Sequence, residues 1–273
     1  MWIKKSEIEE LSRQVRRVIN GEEVDLRIND EGVLRILRND IHILAKQKQE
    51  QVTALERDKE VLRNTLADIS HQLNTPLTSM MLMTELLEDA PAEQQAEFIA
   101  NIKSGLARTE WLVSALLKIA KLDSAVVEFN SSATTVQQLV HLATQPLLIQ
   151  LELREQTIEC VGDATIECDK RWTAEALSNI IKNASEHSPV GSVITVECGE
   201  NPICRWISVV DSGVGISVAK MTKIFRRFEG GSESGYGIGL PLARAIIRGQ
   251  NGDVEVSSNP DGIGTTFTVK FFR

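Results

Sequence analysis

The sequence contains no run of 18 apolar residues, so no stretch of it can cross a bilayer as a helix. Its four cysteines, Cys160, Cys168, Cys198 and Cys204, include no CxxC pair. The histidine nearest to them in sequence, His187, stands at no ligand-like spacing. Structural or buried thiols in a reducing compartment are therefore expected ahead of zinc binding or a disulfide. There is no excess of positive charge either: 30 Lys and Arg face 38 Asp and Glu, a formal charge of −8, which disfavours nonspecific binding to nucleic acid or an anionic membrane. Glycine is missing altogether from residues 33 to 104, while the last 65 residues hold eleven of the 17. That asymmetry predicts a helical front and a mixed α/β back.

The chain's 273 residues suffice for two domains. From Val33 to about Leu87, the composition in Glu, Gln, Lys, Arg and Leu reads as one long helix. Val52, Leu55, Lys59, Leu62, Leu66, Ile69 and Leu73 follow a 3-4 spacing with one polar break, a seam that requires a partner helix. A second helix is predicted from Ala92 to about Leu122, after the turn-like "EDAPAEQQ". Two antiparallel helices bury too little alone, so a dimer whose hairpins form a four-helix bundle is expected.

His71 stands in "DISHQLNTPLT". With Leu66 and Leu73 at a and Ile69 at d, it falls at f, facing away from the seam. An exposed histidine is ordinarily idle. Pro76, however, removes one helical hydrogen bond and clashes with the carbonyl of Gln72, at a cost of about 3 kcal/mol in a helix interior. The helix is expected to bend or loosen within a turn of the imidazole, which favours a reactive site there.

Beyond about residue 126 the pattern changes. "TIECVGD", "SVITVEC" and "CRWISVVD" read as strands, and "DKRWTAEALSNIIKNASEH" as a helix. In "NIIKNASEHSP", Asn179 and Asn183 share a helical face, as solvent-facing asparagines also would. In "DSGVGI", Asp211 ends a strand, and Gly213 and Gly215 permit a close turn, whether around a base or in an ordinary loop. In "GYGIGL", Gly235, Gly237 and Gly239 open a helix whose backbone donors, with the amide of Leu240, suit a phosphate. In "GIGTTFTV", a glycine turn enters a last strand, and Thr265 can offer its hydroxyl to a nucleotide only if that turn faces it. Each motif is weak by itself; their order and spacing carry the reading.

In that order the chain resembles the cytoplasmic kinase core of two-component sensor histidine kinases. "SHQLNTPLT" is similar to the H box, the asparagine helix to the N box, "DSGVGI" to G1, "FRRF" to the F box, "GYGIGL" to G2 and "GIGTTF" to the last glycine motif. The resemblance covers about residues 55 to 273. It implies a signalling helix over 1–54, a dimerisation and phosphotransfer hairpin over 55–125, and a two-layer α/β sandwich that binds ATP over 126–273. It also implies a parent protein held in a membrane by an N-terminal segment that would precede "MWIKKSEI". Three departures stand out. Gln72 replaces the usual acid beside the histidine and Asn74 a frequent base. Glu186 takes the place of a basic residue three after Asn183. Only "EGGSES" separates Phe228 from Gly235.

The resemblance further implies a chemistry. ATP would sit with its adenine against Asp211, its magnesium ion (Mg2+) on Asn183, and its phosphates near Gly237 and Gly239. His71 would attack the γ-phosphorus, with Gln72 orienting the ring, and the phosphoryl group would pass to an aspartate on a separate response-regulator receiver domain. Thr75 would position water for dephosphorylation of that partner. The alternative is a kinase-impaired nucleotide-binding phosphatase or scaffold.

Overall fold

The computed structural model describes residues 5–19, 33–88, 90–124, 126–229, 236–259 and 263–273. The chain divides into two compact units, Met1–Ser70 and His71–Arg273. The first contains helix α1 (Lys5–Ile19) and the front of helix α2 (Val33–Glu88). Within it the seam is bare: Leu55 is 67%, Leu62 59% and Leu66 55% exposed.

The second unit begins with the remainder of α2, which continues as one helix through Pro76. The proline removes one donor, and Thr75 Oγ1 donates to the carbonyl of His71 at 3.1 Å on the same turn. Helix α3 (Ala92–Asp123) follows and starts at Pro91, whose φ of −56° suits a helix entry. The two helices come close where α3 carries Gly105, since a Cβ there would lie 2.9 Å from Met80 Cγ.

The predicted α/β back is present, with more elements than the motifs revealed. Strand β1 (Ser131–Thr135) leads into α4 (Val136–Thr144), a 3-10 turn over Gln145–Leu147 and α5 (Leu148–Leu153). Strands β2 (Thr157–Val161) and β3 (Thr165–Asp169) precede α6 (Lys170–His187), and β4 (Val193–Glu200) and β5 (Cys204–Val210) come after it. The short α7 (Val218–Met221), α8 (Gly239–Gly249), β6 (Gly252–Ser258) and β7 (Thr265–Phe272) complete the described elements. Five strands form a mixed sheet in the order β2-β4-β5-β7-β6, with β2 parallel to β4 and the other pairs antiparallel. β1 and β3 form a separate antiparallel pair.

Alternation decides which face of the sheet is covered. In β7, Thr265, Phe267, Val269 and Phe271 point inward, and Ile194, Val196, Ile207 and Val209 of β4 and β5 join them. Against this face lie the apolar stripes of α4, α6 and α8, including Leu139, Leu177, Ile180, Ile181, Leu242 and Ile246. The result is the expected two-layer sandwich. Its core also takes in Leu112, Ala115 and Ile119 of α3, so the end of the hairpin packs into the same apolar cluster. Two ion pairs, Lys118 with Glu175 and Arg227 with Asp123, flank that packing.

The cysteines are free, and only Cys168 and Cys204 are buried. The expectation of buried thiols fails at Cys160, which is exposed because β2 is an edge strand of the sheet.

Candidate functional site

Asp169 caps the N-terminus of α6, its Oδ1 accepting the amides of Arg171 and Trp172. The helix then carries Asn179 and Asn183, one turn apart, to the wall of a cavity of about 610 Å³. That volume suits a drug-sized or nucleotide-sized ligand. On the other side β5 delivers Asp211, while the turn before β7 closes beneath it. Gly264 at φ +85° makes this possible: a Cβ there would fall 1.9 Å from the Asp211 carbonyl oxygen.

Asp211 is 3% exposed. Its Oδ1 accepts the amides of Gly213 at 2.8 Å and Thr265 at 3.0 Å. The Asp211 amide in turn donates to the carbonyl of Thr265 at 2.9 Å. One carboxylate oxygen is thus consumed by the scaffold. Burial pushes the carboxyl above its ordinary range, opposed by the Gly213 and Thr265 amides and by the nearby charge of His187. A carboxylate held this rigidly can accept one hydrogen bond from a flat donor such as an exocyclic amino group.

On the same cavity wall, α8 begins at Gly239, and its first residues, Gly239 and Leu240, line the space. Gly237 adopts φ +66°, and a Cβ there would lie 2.8 Å from the carbonyl oxygen of Glu229, so the loop folds back tightly onto the "FRRF" segment. Phe228, itself at φ +64°, donates its amide to Gly237 O at 3.0 Å. Phe225 lies under the Arg244 guanidinium at 4.6 Å. Asn179 donates to the Glu175 carbonyl at 3.0 Å, which leaves its Oδ1 toward Gly239. Asn183 makes no described side-chain bond.

The structure thus brings Asn179, Asn183, Asp211, Gly215, Gly237, Gly239, Leu240 and Thr265 around one cavity. Gly213 stands behind the wall as a holder of Asp211: a Cβ would meet the His187 carbonyl oxygen at 2.5 Å. Thr265 is buried against Asp211 and holds it. Gly235 lies outside the described residues. His71, Gln72 and Thr75 are not on the cavity wall; His71 is exposed on α2, as its f position predicts.

Trp111, Lys182, Tyr236, Lys220 and Lys223 also line the cavity, and sequence reasoning had not singled them out as site residues. Lys182 and Tyr236 sit inside quoted motifs. Trp111 gave no signal, since one tryptophan in a helix reads as packing. Among the described residues no group of three His, Cys, Asp or Glu side chains could hold a metal ion, so a divalent cation here would depend on Asn183 and on the ligand's own oxygens.

Comparison with known proteins adds two family matches. Residues 168–273 match the histidine kinase-, DNA gyrase B- and HSP90-like ATPase family, and residues 61–125 match the His Kinase A phosphoacceptor domain. The sensor histidine kinase WalK of Bacillus subtilis is 28% identical over 269 residues, covering 89% of this chain and 43% of the relative. The sensor protein IrlS of Burkholderia pseudomallei is 30% identical over 216 residues, 75% of this chain and 46% of the relative. The chain therefore spans less than half the length of either. Among solved structures, the histidine kinase AdeS of Acinetobacter baumannii superposes with a TM-score of 0.63 at 21% identity, over 74% of this chain and 97% of that one. The histidine kinase ThkA, solved in complex with response regulator protein TrrA, gives 0.65 at 19% identity, over 82% and 66%. At these identities the structures speak for the fold.

Proposed function

The chain is a member of the sensor histidine kinase family, carrying its phosphoacceptor and ATPase domains, and on that premise we propose that it phosphorylates His71 from ATP and passes the phosphoryl group to a response regulator. The observation that carries this reading is the cavity: an aspartate fixed by two amides, a glycine-opened helix and two asparagines line one volume of nucleotide size.

The residues fit the substrate. Asp211 Oδ2 would accept the adenine amino group, while the amides from Gly237 to Leu240 and the start of α8 would receive the phosphates. Asn183 would hold Mg2+ through its amide oxygen. When bound, that ion neutralises charge on the β- and γ-phosphate oxygens. His71, exposed on α2, would offer a ring nitrogen as the nucleophile. Gln72 would orient that ring. Thr75, whose hydroxyl donates to the His71 carbonyl at 3.1 Å, would have to turn outward to position water on a phosphorylated partner.

The division proposed is a signalling helix region over 1–54, a phosphotransfer hairpin over 55–125 and an ATP-binding domain over 126–273. The partner would be a separate receiver domain, the working form a homodimer, and the parent membrane-associated. No helix among the described residues is long and apolar enough to cross a membrane. A kinase-impaired phosphatase is the second reading, favoured by Gln72 in the place of an acid.

Incubation with γ-labelled ATP and magnesium tests the proposal. The label should be acid-labile and alkali-stable, as on a phosphoimidazole, and absent from His71→Ala. Retention of label by that variant would give the site to His42, His141 or His187 instead. No label on the unaltered chain, with ATP bound, would favour the second reading.

A further inference from the structure

The cavity that would take a polyanion is lined by an acidic residue, Glu186. Something must offset it. On the same helix, Lys182 stands one turn earlier, three beyond Asn179 and one before Asn183, and its Nζ lies 3.8 Å from the Glu186 carboxylate. The same ammonium sits 5.6 Å from the centroid of the Trp111 ring. Trp111 belongs to α3, and its indole stacks on Tyr236 with centroids 6.5 Å apart and planes 17° from parallel. Tyr236 immediately precedes Gly237. Lys182 is thus held between an aromatic face and a carboxylate, beside the glycines that open α8.

We propose that Lys182 is the cation that grips the terminal phosphates in this chain, and that Trp111 is its positioning residue, so that phosphate grip depends on α3 being docked. The inference rests on the nucleotide reading of the cavity. Electrostatics favours it: the pair with Glu186 is a loose one at 3.8 Å, and the ring face attracts the ammonium from another side without neutralising it. Lys220 and Lys223 also reach the wall, but both are exposed and neither lies over a ring among the described contacts. Trp111 is in turn fixed by its helix. Its neighbours Leu112 and Ala115 are buried in the core shared with α8, and Lys118 pairs with Glu175 on α6. Undocking α3 would remove the indole and leave Lys182 to Glu186.

Calorimetric titration of the full chain with magnesium and either a non-hydrolysable ATP analogue or AMP tests this. Lys182→Met should weaken the triphosphate by about tenfold, the scale of one charge-assisted contact, and change AMP less than twofold. Trp111→Ala should weaken the triphosphate about threefold with AMP again unchanged, and Trp111→Phe should restore most of the loss. The double variant should be no weaker than Lys182→Met alone, because Trp111 acts through the lysine. Equal losses for both ligands would mean a merely structural role and overturn the proposal, as would an unchanged triphosphate affinity in Lys182→Met or additive losses in the double variant. If the unaltered chain bound neither ligand, the nucleotide reading itself would fall and this inference with it.

Discussion

Gln72 keeps the shape of a glutamate and one acceptor oxygen, but it has neither charge nor basicity. It can orient an imidazole and is a poor acceptor for its proton. Autophosphorylation in a Gln72→Glu variant should be about tenfold to a hundredfold faster, read as single-turnover rates at saturating ATP. Equal rates would show that the missing carboxylate does not limit the reaction. Asp211 leads to a pH dependence of definite sign. Burial raises its pKa, so its protonated form persists above the ordinary carboxylate range, and a protonated Asp211 loses acceptor strength toward an amino group. Adenine-nucleotide affinity should therefore fall as pH drops through that raised value, and Asp211→Asn should remove the dependence along with most of the affinity. The linkage to stability runs the other way. A carboxyl with a raised native pKa makes the fold less stable as pH rises from the unfolded to the native value. A flat affinity profile between pH 4 and 8 would count against Asp211 as the adenine acceptor.

Helix α8 and strand β6 are joined by one aspartate serving two guanidiniums. Asp253 accepts from Arg244 at 2.8 and 3.0 Å and from Arg248 at 3.0 and 3.1 Å. Partial burial alone would raise its pKa, but the two arginines outweigh that and hold it far below the usual carboxylate range. A depressed native pKa contributes stability above the unfolded value of about 3.9, lost as pH falls toward the native one. Asp253→Asn should thus cost about 1–2 kcal/mol at neutral pH, discounted for the exposure of Arg248, and the difference from the unaltered chain should shrink below pH 4 in urea titrations. Because Arg244 also lies over Phe225, the same substitution should loosen the segment from Phe225 to Phe228 that closes onto Gly237. Faster hydrogen exchange at Phe228 would report it.

At the scale of the molecule, the most conspicuous unused surface is apolar. Leu55, Leu62 and Leu66 on the seam of α2 are more than half exposed. On the hairpin of the second unit, Met81 is 66%, Leu82 56%, Leu106 61% and Leu117 58% exposed. Leaving such faces in water forgoes roughly 25 cal/mol for every Å² that a partner helix could cover. A homodimer at micromolar concentration is the expected outcome in light scattering, and a purely monomeric chain would leave the seam unexplained. Leu62→Lys combined with Leu66→Lys should shift the chain to monomer, since buried lysines would face each other across the bundle.

Local pattern was enough for the long helices, because 3.6-residue periodicity, and in α2 the absence of glycine, act over neighbouring residues. For Asn179, Asn183, Asp211 and the glycines no single motif was enough, and their order and spacing made them candidates: two side chains on one helical turn, and backbone that reaches φ +66° at Gly237 or approaches within a Cβ's breadth at Gly264. Strand β1, helix α4 and strand β6 escaped notice because short elements carry too few periods to stand above loop composition. The exposure of Cys160 was equally hidden, since an edge strand is defined only by the partner it lacks. The fixing of Asp211 by Thr265 joins residues 54 apart, and Trp111 reaches Lys182 from a different helix. Those meetings depend on α3 packing into the core beside α8. Long-range contacts of that kind arise from burying apolar surface between elements, and no stretch of sequence holds both partners.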